Sequence, residues 1–193
     1  MNDGKMHYYA GIGARKTPEE VLVTFKEIGR LLAEKGYVLR SGAADGADSA
    51  FEEGCAAANG LREIYLPWPN FNGSNSAYTS PSNEAMSLAE HHWRIYGWRT
   101  WEDIPDSHKK LLARDVHQAL GQNLKSPSDF VVCYTNGGKL VGGTAMAIHI
   151  ANDRGIRVFN AGIYAGPWTG GNDKRFVEEV MRYAELSENG RGV

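Results

Sequence analysis

What most constrains this chain is the way short apolar runs alternate with amphipathic segments, each pair joined through glycine. "HYYAGI" (7–12) reads as a strand, and "TPEEVLVTFKEIGRLLAEKG" (17–36) places Val21, Phe25, Ile28 and Leu32 at helical spacing. The start of that helix has the pattern of a capping box: Thr17 as cap, Pro18 at the first helical position and Glu20 three residues after the cap. Gly36 closes it. The unit then recurs as a strand "YVLRS" (37–41), a turn "GAADGAD", a small-residue helix over 49–60 and a strand "REIYLPW" (62–68). It returns as "DFVVCYT" (129–135), a glycine turn, a helix over 144–155 and "IRVFNAG" (156–162), with a last helix over 172–186. Strands joined in series through helices pair in parallel, so the expectation is an α/β fold with a mostly parallel sheet and helices on both faces.

Residues 69–127 break the rhythm. They hold a polar loop, a short helix at "EAMSLAEHHW", the aromatic stretch "RIYGWRTWEDIP" and a helix "DSHKKLLARDVHQALGQNL" begun by Asp106. This is read as an aromatic-rich helical insertion between the third and fourth strands. Its tryptophans, Trp93, Trp98 and Trp101, suit packing within the fold or against a second copy, and a homo-oligomer is expected. A stacking platform for nucleic acid, with arginines beside aromatics, is the alternative. At 193 residues the chain has room for one α/β domain, taken to span 1–193.

Charge and cysteine usage exclude several classes. A net charge of −2 gives no global basic field to draw nucleic acid or membrane, so any anion must be held by local groups. Cys55 and Cys133 are expected to be free, buried thiols in a reducing compartment. The six histidines share no metal-ligand spacing with each other or with the cysteines, so no metal or cofactor is expected. No 18-residue apolar stretch occurs, and "MNDGKMHYYAG" lacks a run of signal-peptide length. The expectation is a cytoplasmic protein.

Three glycine turns fall at the carboxyl ends of strands, where open α/β sheets bind ligands. The first, Gly11-Ile12-Gly13-Ala14-Arg15, has Lys16 where a dinucleotide fingerprint would place its third glycine. Glu19 and Glu20 in the next helix would repel a phosphate, so Arg15 is the contact expected there. The second, Ser41-Gly42-Ala43-Ala44-Asp45-Gly46-Ala47-Asp48, supplies carboxylates at Asp45, Asp48 and, one helical turn on, Glu52. Asp48 is read either as a helix cap or as a hydrogen-bond partner for a ribose or base. The third turn includes Gly137 and Gly138 and ends in Gly142-Gly143-Thr144. It opens a helix with no acid in its first turn, so free N–H groups and the positive end of the helix dipole can face an anion there.

"GIGARKTPEE", "LLAEKGYVLRSGAADGADSAFEEGC", "REIYLPW" and "DFVVCYT…GGTAMAIHIANDRGIRVFNAG" together resemble the Rossmann-like core of the DNA-processing protein A (DprA/Smf) family. That family belongs to a nucleotide-binding superfamily with the lonely-guy phosphoribohydrolases. The resemblance covers about 7–68 and 114–162, and it lies close to compact members often found in phage and mobile DNA. It implies a three-layer Rossmann-like fold and a phosphate or nucleotide cradle at Gly11, Gly13, Arg15, Ser41, Gly42, Asp45, Gly46, Asp48, Gly142, Gly143 and Thr144. Arg114 is similar to the first basic position of the family's arginine-asparagine-arginine segment, but Asp115 and Val116 follow it here. The lonely-guy enzymes cleave the N-glycosidic bond of nucleoside 5′-monophosphates with a glutamate three residues after the motif threonine, and Ala147 holds that position in this chain. Asp48, Glu52 and Glu84 are the candidates to replace it. The resemblance therefore leaves three functions open: nucleotide binding, nucleotide N-glycosidase activity, and single-stranded DNA binding as a recombination mediator.

Overall fold

The computed structural model describes residues 5–164, Trp168 and 172–188. Alternation in the apolar strands decides the layers. Successive side chains of a strand point to opposite faces. Tyr9, Leu39, Phe130 and Val132 accordingly enter one core, and Ala10, Ile12, Val131 and Cys133 enter the other.

The strands are β1 (Tyr8–Gly13), β2 (Val38–Ser41), β3 (Arg62–Leu66), β4 (Tyr78–Thr79), β5 (Phe130–Tyr134) and β6 (Arg157–Asn160). The helices are α1 (Glu19–Glu34), α2 (Ala47–Ala57), α3 (Asn83–Tyr96), α4 (Asp106–Leu120), α5 (Gly143–Asp153) and α6 (Asn172–Glu188). All six strands are parallel, in the order β4-β3-β2-β1-β5-β6. Helices α1, α2 and α6 cover the first face with Phe25, Ile28, Leu32, Phe51 and Phe176; α3, α4 and α5 cover the second with Trp93, Leu112, Val116, Met146 and Ile150. The chain steps outward from β1 to β4 and then returns to the other side of β1 as β5. The sheet therefore reverses direction between β1 and β5, which Tyr9↔Phe130 through Gly13↔Tyr134 hold in register. A crevice opens above the carboxyl ends of two strands that diverge in this way.

Several expectations shift. No capping box forms at α1: Pro18 occupies the cap, and the Thr17 hydroxyl donates to Ala14 O at 2.6 Å. That bond ties the helix entry back onto the β1 loop. α2 begins at Ala47, two residues earlier than expected, so Asp48 lies inside its first turn. The two-residue strand β4 emerges from the polar loop. Within the 69–127 segment, Leu112, Ala113, Val116, Ala119 and Leu120 pack α4 into the core, where it leads into β5. Trp93 and Trp101 are buried in the chain's own core, which leaves Trp98 as the exposed member of the three. Cys55 and Cys133 are free and buried, as expected. Among the described residues no helix is long and apolar enough to cross a membrane.

Candidate functional site

A cavity of about 320 Å³ lies where the sheet reverses. The β1 loop supplies Gly13, Ala14 and Arg15, the β5 loop supplies Val141, Gly142, Gly143 and Thr144, and α2 contributes Asp48. The far wall is α4, with His108, Leu111, Arg114, Asp115 and Gln118. Spacings of three and four put these α4 residues on one helix face.

One end of the cavity is formed by the start of α5. Gly142 caps α5 at φ 80°, a left-handed conformation natural to glycine, and an added methyl there would meet nothing within 4 Å. No acidic residue occupies the first turn of α5. A methyl at Gly143 would have Asp115 Oδ2 as its one near neighbour, at 3.4 Å. Gly142, Gly143 and Thr144, at the start of α5, line the cavity together with the exposed Arg15 of the β1 loop.

The opposite end is a buried charge cluster. Arg114 donates from Nε to Asp115 Oδ1 at 2.9 Å and from Nη1 to Gly42 O at 2.5 Å, and its Nη1 lies 3.7 Å from Asp48 Oδ2. Gln118 lies against both groups; with its amide oriented to satisfy them, it donates to Asp115 Oδ1 at 2.9 Å and accepts from the Gly42 N–H at 2.8 Å. Burial pushes Asp115 up to about 7, the neighbouring Asp48 adds to the rise, and Arg114 opposes it. Asp48 is also raised, by burial, against the pull of Arg114 and of the amides of Ala44, Gly13 and Gly42. Behind it, Glu52 accepts from the Ala43 N–H at 2.9 Å; burial and Asp48 push it up to about 7, against the Ser41 hydroxyl. Asp48 and Asp115 thus share the Arg114 guanidinium, with Glu52 buried behind Asp48 and drawn down only by Arg62 and its own hydrogen bonds, so burial and mutual repulsion hold protons on the cluster near neutral pH. Arg114 occupies Oδ1 of Asp115, and Oδ2 is the atom that approaches Gly143.

Of the residues expected from the sequence, Gly13, Arg15, Asp48, Arg114, Gly142, Gly143 and Thr144 come together around this cavity. The others are placed elsewhere. Gly11 lies in the core, where an added methyl would come within 2.6 Å of Phe51 and 2.9 Å of Leu39, so its bareness serves packing. Gly42 leaves space for the Arg114 guanidinium, and Gly46, at φ 84°, lets α2 approach the carbonyls of Ala14 and Arg15. Ser41 is buried beneath the cluster, and Asp45 is exposed on the loop. Glu84 is exposed near the start of α3, where His117 senses its charge, and does not line the cavity. Sequence reasoning missed His108, Leu111, Asp115 and Gln118 as wall residues; their shared helical face was the available signal. Ala147 is fully buried, and Asp115 presents a carboxyl beside the α5 start instead. Among the described residues no cluster of histidine, cysteine and carboxylate side chains could hold a metal ion.

No protein-family model matches the sequence, and no curated protein is significantly similar to it. Solved structures do match its fold. DNA processing protein A from Helicobacter pylori, a single-stranded DNA-binding protein, superposes at TM-score 0.54 and 19% identity, over 97% of this chain and 74% of that one. DNA processing protein A from Streptococcus pneumoniae does so at 0.53 and 16%, over 92% of this chain, which spans 56% of that protein. The structural-genomics target TM1055 matches at 0.53 and 22%, over 94% and 99% of the two chains. At such identities the likeness is one of fold: the Rossmann-like three-layer arrangement that the sequence resemblance implied.

Proposed function

We propose that this chain binds a nucleotide at the β1–β5 edge, with the phosphate on the N–H groups that open α5 and beside Arg15, and the sugar hydroxyls toward Asp48 and Asp115. One observation carries the reading. A single cavity at the sheet reversal joins a bare helix start to buried carboxyls and so offers opposite chemistries to the two ends of one ligand. A phosphate accepts hydrogen bonds from amides and arginine, whereas sugar hydroxyls donate to carboxylates.

A second reading, hydrolysis of the N-glycosidic bond, draws support from Asp115 alone. A carboxyl held near 7 is matched to proton transfer at neutral pH. From Oδ2 it can protonate the departing base as the C1′–N bond breaks. A carboxylate such as Asp48 then steadies the oxocarbenium-like sugar while water bonds to C1′ and returns a proton to Asp115. On this reading Asp115 on α4 supplies the carboxyl that Ala147 on α5 does not.

One incubation tests both. The protein is mixed with ribo- and deoxyribonucleotides, ultrafiltered, and both fractions are weighed by mass spectrometry. An intact nucleotide retained with the protein supports binding, and free base with sugar phosphate in the filtrate supports hydrolysis. The absence of both results would overturn the proposal and leave single-stranded DNA to be titrated instead. Self-association is proposed too, with Trp98 as the one exposed tryptophan of the 93–101 cluster to support it; light scattering that returns the 21.2 kDa monomer removes it.

A further inference from the structure

We propose that the nucleotide's aromatic base stacks on the exposed rings of Trp98 and Tyr96, just outside the cavity, which makes the ligand a nucleoside phosphate and not a bare sugar phosphate. This inference rests on the reading above. Val141 and Gly142 line the cavity on one side and, on the other, a crevice formed with His92, Tyr96, Trp98 and His149. A ligand anchored at the start of α5 therefore reaches these rings by crossing one loop.

The surface there is apolar in a way that water does not favour. Trp98 is 66% exposed and Val141 68%, with Tyr96 and Leu140 also exposed beside them. Isolated apolar residues are ordinary on a surface, but a contiguous set of this kind marks a binding site. No carboxylate is among the residues that line the crevice, and the one at its edge, Asp153, is held by the Tyr96 hydroxyl. The cavity itself offers no tryptophan, tyrosine or phenylalanine among its lining residues. Its walls suit a sugar and phosphate, and the nearest flat apolar surface is this one.

The rings are also held in place. Tyr96 and His149 stack in parallel at 3.9 Å, and the Tyr96 hydroxyl donates to Asp153 at 3.2 Å. The Arg99 guanidinium lies 4.2 Å over the Trp98 ring. A methyl at Gly97 would strike Trp93 O at 2.5 Å, so the turn that presents Trp98 is packed directly onto α3. A ring already fixed loses little freedom when a base settles on it. The crevice encloses only about 30 Å³, room for one water, so the base lies across its mouth and not within it.

The test is equilibrium binding of AMP and ribose 5-phosphate to the full chain and to Trp98→Ala. The removed side chain is largely in solvent, so the variant should fold as the parent does. The wild type is expected to bind AMP about tenfold or more tightly than ribose 5-phosphate, in line with stacking of one base. Trp98→Ala should bring AMP down to the affinity of ribose 5-phosphate and leave the latter unchanged, and Trp98→Phe should restore much of the difference. Equal affinity of the wild type for the two ligands, or AMP affinity unchanged in Trp98→Ala, would sink the base shelf while leaving the phosphate and sugar site intact. A wild type that binds neither ligand overturns both. If light scattering shows Trp98→Ala dissociating a dimer with AMP affinity unchanged, the patch is a contact between copies and the inference fails.

Discussion

Replacing Asp115 by asparagine should make this protein more stable above neutral pH. The expectation follows from the imbalance around Arg114, where Asp115 and Asp48 compete for one guanidinium. Burial moves Asp115 from an ordinary 3.8 to about 7. In the unfolded chain the same group titrates near its ordinary value, so between about pH 4 and pH 7 the folded state holds a proton that the unfolded state has released. Stability from this group is therefore full below about pH 4, falls as pH rises, and levels off above about pH 7. At roughly 1.4 kcal/mol per pH unit, the loss is about 4 kcal/mol. Asparagine keeps an acceptor for the Arg114 Nε–H and has no charge to bury, and Asp48 remains 3.7 Å from the guanidinium to balance it. The assay is urea denaturation at several pH values from 4 to 8.5. The variant should match the wild type at pH 4 and exceed it by up to about 4 kcal/mol at pH 8, with a shallower dependence between. An Asp115→Asn protein less stable than wild type at pH 8 would refute the reasoning, because it would mean that Asp115 is ionised there and its pair with Arg114 holds the fold together.

Two further substitutions separate packing from binding. Gly11→Ala should cost about 1–3 kcal/mol in chemical denaturation, because its methyl is driven into Phe51 and Leu39, yet leave ligand affinity of the folded protein unchanged. Glu84→Gln should alter neither stability, beyond about 0.5 kcal/mol, nor nucleotide binding, since the side chain is exposed and away from the cavity; lost binding in a titration would place the site nearer α3.

The strands and helices that alternate most regularly were legible because one physical rule governs them. A parallel strand buried on both faces is apolar throughout, as "FVVCY" is, and the helices beside it carry an apolar stripe. The place of α4 was not legible in the same way. Its helical pattern was plain, but a polar loop and an aromatic stretch precede it, and sequence spacing alone does not tell an inserted helix from a crossover. That ambiguity hid the wall of the cavity: Asp115 looked like a departure from a basic motif, and only the fold brings its Oδ2 within reach of Gly143. Glycine posed the same kind of ambiguity. Gly142 is bare toward open space and Gly11 is bare toward Phe51, and only the fold separates a glycine kept for a ligand from one kept for a neighbour. At Thr17 the local pattern named a cap, but a closer carbonyl, Ala14 O, took the hydroxyl. The start of α5 falls within one residue of its expected place because its signal is local: no acid in the first turn and glycine at the cap.

The central claim is that a nucleotide phosphate sits against the start of α5. Gly143 is the position to probe, because a methyl there projects into the cavity with only Asp115 Oδ2 near it, at 3.4 Å, so the fold can accept alanine. Equilibrium dialysis of wild type and Gly143→Ala against a mixture of ribo- and deoxyribonucleoside 5′-monophosphates measures the consequence directly. The account predicts that the wild type retains a nucleotide and that Gly143→Ala binds it at least about tenfold more weakly with an unchanged thermal transition. Full affinity in Gly143→Ala would contradict it.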